Sequence, residues 1–179
     1  MFTIVSVPLI ALRSVSSEKS EMVSQLLFGE QIEILEEKEG WFFIRNLTDG
    51  YKGWISASCL QKKDFTKTQR DTTNYSVLKS SYSLCTKLSN SEKMLLAGGS
   101  YIPQTNNGLF GLLGETYQLE NRENNNQDII ELTLQYLNAP YLWGGKSIMG
   151  IDCSGFVQVI FSMIGKKIPR DASQQVEEG

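Results

Sequence analysis

The 179-residue sequence predicts an α+β protein in which one or two small β-barrels precede a helical segment. Three observations lead there. Short apolar stretches, punctuated by tight-turn residues, fill roughly the first 120 positions. The period changes from strand-like to helical after a polar connector, NRENNNQ, at residues 121–127. Finally, a glycine-rich aromatic loop within YLWGGKSIMGIDCSGF, residues 141–156, sets a cysteine at the start of the second helical pattern.

In chain order, Val5, Val7 and Leu9 alternate with smaller or polar residues, and Gln31-Ile32-Glu33-Ile34 alternates cleanly. Gly40 interrupts the chain before Trp41-Phe42-Phe43-Ile44, Asp49-Gly50 signals a tight turn, and Gly53-Trp54-Ile55 starts another strand. Five or so strands in so short a stretch predict a barrel over residues 1–61. The polar run KKDFTKTQRDTT, 62–73, reads as a linker. Ser76-Val77-Leu78, Met94-Leu95-Leu96, Ser100-Tyr101-Ile102 and Leu109 to Leu113, with turns at Gly98-Gly99 and Asn106-Asn107-Gly108, predict a second, degenerate barrel, so that 62–120 holds linker and barrel together. Asp128 to Asn138 places Ile130, Leu134 and Leu137 on one helical face, with Pro140 past its end. From Cys153, the residues Phe156, Val157, Ile160 and Ile164 keep helical spacing until Gly165.

Hydrophobic residues make up 41% and charged residues 21%, which excludes disordered and fibrous classes. A net charge of −3 without a basic stripe argues against a nucleic-acid partner. Cys59, Cys85 and Cys153 form no C-x-x-C pair and the chain has no histidine, so neither a zinc site nor any other cofactor is expected. The N-terminus lacks a basic n-region and a small-residue cleavage site, and no run reaches the length of a membrane span. A soluble, cytoplasmic protein is expected, or a periplasmic or secreted one should sequence precede Met1.

Cys153 carries the chemistry worth weighing. The thiolate is the nucleophile, and a free cysteine at about pKa 8.5 is mostly protonated at neutral pH. A helix N-terminus offers partial positive charge and unpaired N–H groups that favour the thiolate and could hold an oxyanion. Ser154 and Gly155 keep the surroundings small. Asp152 pulls the other way, since a neighbouring carboxylate disfavours a thiolate. It either caps the helix or binds a cationic group of a ligand. Cysteines also serve as small buried hydrophobes, the reading preferred for Cys59 and Cys85 and the alternative for Cys153.

Tyr141-Leu142-Trp143-Gly144-Gly145, then Gly150-Ile151-Asp152-Cys153-Ser154-Gly155-Phe156-Val157, then Ile168-Pro169-Arg170-Asp171-Ala172 resemble the NlpC-type papain-like cysteine peptidases of bacterial cell walls, over residues 128–179. Ser20 to Gln25, Phe28-Gly29-Glu30 and Asp49 to Trp54 resemble the first of two bacterial SH3 domains that precede this catalytic domain in one subfamily. Those subfamily members are γ-D-glutamyl-L-diamino acid endopeptidases acting on peptidoglycan peptides with a free N-terminal L-alanine. The resemblance implies SH3-like barrels followed by the N-terminal helical part of a papain-like domain. It implies Cys153 as nucleophile and Tyr141, Trp143, Asp152, Ser154 and Asp171 as pocket residues, with Glu21 and Tyr51 closing one end. A free α-amine is a cation, which gives Asp152 a reason to stand there.

The departure from the family pattern is the histidine base, which in these enzymes comes from a sheet downstream of the cysteine helix. Only 26 residues follow Cys153 and none is histidine, so the chain is expected to be a C-terminally incomplete, inactive copy. Its helical faces are then expected to lack much of the surface they bury against. The alternatives are a non-catalytic module that binds cell-wall peptides, and an amidase or acyltransferase on the same fold.

Overall fold

The computed structural model describes residues 1–60, 75–104, 106–120 and 128–178. The expected linker at 62–73 and connector at 121–127 lie outside them. The described chain is mostly β with few helices. Its first unit comprises β1 (Phe2–Ile4), β2 (Leu9–Arg13), β3 (Met22–Leu27), β4 (Gln31–Lys38), β5 (Trp41–Asn46) and β6 (Lys52–Ser56). These form one antiparallel sheet in the order β1-β4-β5-β6-β2-β3. Among the described residues no ladder joins β1 to β3, so the expected closed barrel becomes an open sheet. Val5, Ile10, Leu12, Leu26, Ile32, Ile44 and Ile55 form its core. The alternation expected across Val5, Val7 and Leu9 fails because β1 ends at Ile4 and β2 starts only at Leu9.

The second unit contains β7 (Tyr75–Val77), β8 (Tyr82–Lys87), β9 (Glu92–Ala97), β10 (Tyr101–Pro103), β11 (Leu109–Leu112) and β12 (Glu115–Leu119). They make a four-stranded sheet, β11-β12-β8-β9, and a two-stranded β10-β7 pair. Strands β8 and β12 escape the sequence reading because each buries only two alternate positions, Ser83 and Cys85 in one and Tyr117 and Leu119 in the other, rather than an apolar run. The two units share a core. Phe28, from the first, packs edge-on against Phe110 and Tyr117 at centroid distances of 6.0 and 5.6 Å.

The last segment holds α1 (Ile129–Leu134), the short strands β13 (Lys146–Ser147) and β14 (Gly150–Ile151), α2 (Cys153–Met163) and α3 (Ala172–Glu178). Asp128 and Glu131 cap α1 reciprocally. The face of this helix expected to lack a covering surface is exposed. Ile130, Leu134 and Leu137 are 64%, 60% and 70% exposed, whereas Leu132 and Tyr136 are buried with Val159, Ile160 and Met163 of α2. Helix α2 stops as expected, with Gly165 at φ +82°. No helix of the described residues is long and apolar enough to cross a membrane.

Candidate active site

The loop before Cys153 is shaped by its glycines and clamped to β3. β13 and β14 pair Lys146 with Ile151 and Ser147 with Gly150, and Tyr141 bridges to Ile151. Gly144 sits at φ +77°, and a Cβ there would overlap the Met22 carbonyl oxygen of β3. The Lys146 amide donates to Gln25 Oε1 at 2.7 Å. The Lys146 side chain pairs with Glu30 Oε1 at 3.2 Å, with both side chains buried. Glu30 Oε2 accepts from the Leu27 amide at 2.9 Å. A strand of the first unit thus splints the loop that carries the cysteine.

Cys153 opens α2 and is exposed, unlike Cys85, which is buried and whose thiol burial pushes up to about 11. Cys59 is half-buried, and burial raises its thiol as well. Asp152 is the N-cap. Its Oδ1 accepts from the Gly155 amide at 2.7 Å and the Ser154 hydroxyl at 3.3 Å. Its Oδ2 accepts from the Gly144 amide at 2.8 Å and Arg170 Nη2 at 2.6 Å. A carboxylate offers about four lone-pair sites, and all are filled on a residue only 7% exposed. Asp152 thus serves as the helix cap, one of the two roles expected of it. Ser154 is likewise turned inward, its hydroxyl accepting from Arg170 Nη1 at 2.7 Å. Gly155 makes room for the Gly145 carbonyl of the loop rather than for a ligand.

Burial alone would raise the Asp152 carboxyl, but the Arg170 and Gly155 hydrogen bonds outweigh it and hold it below its ordinary 3.8. A depressed folded-state value stabilises the fold above the unfolded value, and that contribution fades as pH falls through the folded one. Between about pH 5 and pH 2, wild type is expected to lose more thermal stability than Asp152→Asn. Equal losses in melting scans would remove this network from the acid response.

Outside the network stand exposed and half-buried groups. Tyr141 and Trp143 are 66% and 61% exposed, and Trp143 Nε1 donates to Glu21 Oε1 at 2.7 Å. Tyr51 donates its hydroxyl to Asp171 Oδ1 at 3.0 Å. Burial first, then the Asp171 hydrogen bond and charge, pushes the phenol up to about 12, so it remains a donor. Both acids receive these bonds from neutral groups, and among the described residues neither has a salt bridge. The structure brings Glu21 to Trp143 and Tyr51 to Asp171 across sequence separations of 122 and 120 residues.

Several positioning residues escape the sequence reading. Arg170 lies within the Ile168 to Ala172 stretch but draws no role there, although it is buried and bonds three side chains. Gln158 of α2 donates to Asp49 Oδ2 at 3.0 Å and the Ile168 carbonyl at 3.1 Å. Asp49 in turn accepts from the Tyr51 amide at 3.0 Å, tying the tyrosine turn to α2. Gln175 of α3 donates to the Ser154 and Pro169 carbonyls. Lys146 and Glu30 draw no role in that reading either, although Glu30 lies in the Phe28-Gly29-Glu30 stretch and Lys146 follows the Gly144-Gly145 pair.

Residues 12–60 match the family model described as the bacterial dipeptidyl-peptidase Sh3 domain, and residues 138–179 match the NlpC/P60 family. A γ-D-glutamyl-L-lysine dipeptidyl-peptidase of Bacillus subtilis is 32% identical over 176 residues, 87% of this chain and 58% of that protein. The chain thus spans under two thirds of that relative's length. An enzyme of the same name from Bacillus cereus is 42% identical over 52 residues, 29% of this chain and 16% of its own length. The crystal structure of an NlpC/P60 family protein from Bacillus cereus superposes with a TM-score of 0.84 at 17% identity, covering all of this chain and 77% of the other. The resemblance read from the sequence holds at both ends of the chain: an SH3 domain in front, and an NlpC/P60 segment around the cysteine.

Proposed function

We propose that the chain provides the nucleophile and the amine-binding wall of a cysteine peptidase that cleaves the γ-D-glutamyl to diamino acid bond of peptidoglycan peptides with a free N-terminal L-alanine, in recycling of murein peptides in the cytoplasm. The observation that carries this reading is the exposed Cys153 at the first turn of the eleven-residue helix α2. The helix end favours the thiolate. The thiolate attacks the γ-carbonyl carbon of D-Glu, the C–N bond to the diamino acid breaks, and the departing amine takes a proton from water. Water then hydrolyses the thioester.

The substrate's α-ammonium can meet Glu21 and Asp171, which no cation of the described residues occupies, with the Tyr51 hydroxyl beside the latter. In this reading amine recognition falls to the first unit and the α3 entrance. The SH3-like sheet of the first unit and the helical part of a papain-like domain together frame the cleft in this reading, and Tyr141 and Trp143 form its exposed aromatic side.

Proton delivery to a leaving amine is a histidine's task in such enzymes, and this chain has none. A test that isolates the nucleophile therefore uses a leaving group that needs no proton: the p-nitrophenyl γ-ester of L-Ala-D-Glu. One acyl group per chain is expected on Cys153 by mass spectrometry, with nitrophenolate released. Blocking the amine by acetylation is expected to slow acylation at least about tenfold, the worth of a charge-assisted hydrogen bond, and Glu21→Gln/Asp171→Asn should erase that difference. The same adduct in Cys153→Ala, or none in wild type, overturns the reading. Peptide binding without acylation would favour the binding module instead.

A further inference from the structure

The puzzle left by the sequence is a carboxylate next to a thiol that must ionise to act. Asp152 cannot simply move away, because it caps α2 and holds the Gly144 amide of the preceding loop. A bare negative charge beside Sγ would oppose the thiolate that the helix end favours. Arg170, 2% exposed, answers it. Its Nη2 lies 2.6 Å from Asp152 Oδ2, its Nη1 2.7 Å from Ser154 Oγ, and its Nε 3.1 Å from Ser24 Oγ on β3. One guanidinium thus binds the residues on both sides of Cys153 and ties them to the first unit. A planar fork with five donors can do this and a lysine cannot.

We propose that Arg170 is a positioning residue for Cys153, cancelling the charge of Asp152 at the mouth of α2 while pinning that helix end to β3. The inference rests on Cys153 being the reactive thiol and adds what keeps it reactive. The other charged groups nearby are engaged elsewhere: Asp171 with Tyr51, Glu21 with Trp143, and Lys146 with Glu30 in the buried clamp. Arg170 is then the cation whose removal changes the field at the thiol most directly.

The test reads the thiol itself, without peptide turnover. The 179-residue chain is alkylated with iodoacetamide at neutral pH, and the rate at Cys153 is followed by peptide mass spectrometry, separately from Cys59 and Cys85. Arg170→Gln should be about tenfold slower than wild type, because the uncancelled Asp152 charge then opposes the thiolate. Asp152→Asn, which keeps a capping side chain and leaves Arg170 uncancelled, should be about threefold faster or more. The double variant should return to within about twofold of wild type, because both charges are gone.

A purely structural role for Arg170 predicts the opposite for the double variant, which loses both partners and would stay as slow as Arg170→Gln. That result overturns the proposal, as does an Arg170→Gln rate equal to wild type. Should circular dichroism show Arg170→Gln unfolded, Asp152→Asn still has to exceed both wild type and the double variant, and failure to do so overturns the proposal. Preserved ranking with no acylation by the ester would instead sink the peptidase reading alone.

Discussion

Lys146→Met is expected to destabilise the fold by about 3–5 kcal/mol, because Glu30 stays behind as a buried charge without its partner. Glu30 cannot turn to solvent, since its second oxygen is held by the Leu27 amide in the turn after β3. For a chain of this size the loss corresponds to a fall of about 10 °C in Tm. Lys146→Met/Glu30→Met should recover most of it, because replacing a buried pair by apolar groups of similar volume is often close to neutral. A single-variant loss below about 1 kcal/mol in denaturant melts would show the pair to be hydrated and the clamp weak. The double variant also separates stability from function. The Lys146 amide to Gln25 bond survives in it, so acylation of Cys153 should largely survive too.

Gly144→Ala is expected to reduce acylation of Cys153 about 100-fold, the scale on which a displacement of about 1 Å acts, and to cost about 2–3 kcal/mol. Two causes add. The backbone at φ +77° disfavours a Cβ, and that Cβ would overlap the Met22 carbonyl. Relief requires the loop to leave β3, and with it go the Gly144 amide on Asp152 and the Trp143 indole on Glu21. Gly165→Ala is the control: its φ is +82°, yet a Cβ there meets nothing within 4 Å. It should cost about 1 kcal/mol and leave acylation unchanged. Similar acylation in the two variants would mean that the β3 contact does not set the cysteine's position.

These two positions mark the limit of sequence reading. That residues 141–156 form a glycine-bent approach to a cysteine at a helix start is legible, because caps, stops and turns are local: Asp152 accepts from an amide three residues on, and Gly165 ends α2 with its own backbone. The Asp49-Gly50 turn before Tyr51 is legible for the same reason. Both stripes of α1 carry apolar side chains, and period alone does not say which meets α2. Leu132 and Tyr136 do, and Ile130, Leu134 and Leu137 stay outside.

The sequence by itself determined the nucleophile candidate, its helix, the cap beside it and the family resemblance at both ends, all from residues within a few positions of one another. Only the tertiary structure decided which partners each charge has. Asp152 and Asp171 are equally acidic on paper, but the first is saturated by Arg170 and three further donors, and the second faces a tyrosine from the other end of the chain. Charge roles follow from partners and burial. Partners more than 100 residues apart are set by how β3 lies against the cysteine loop, which no local period encodes.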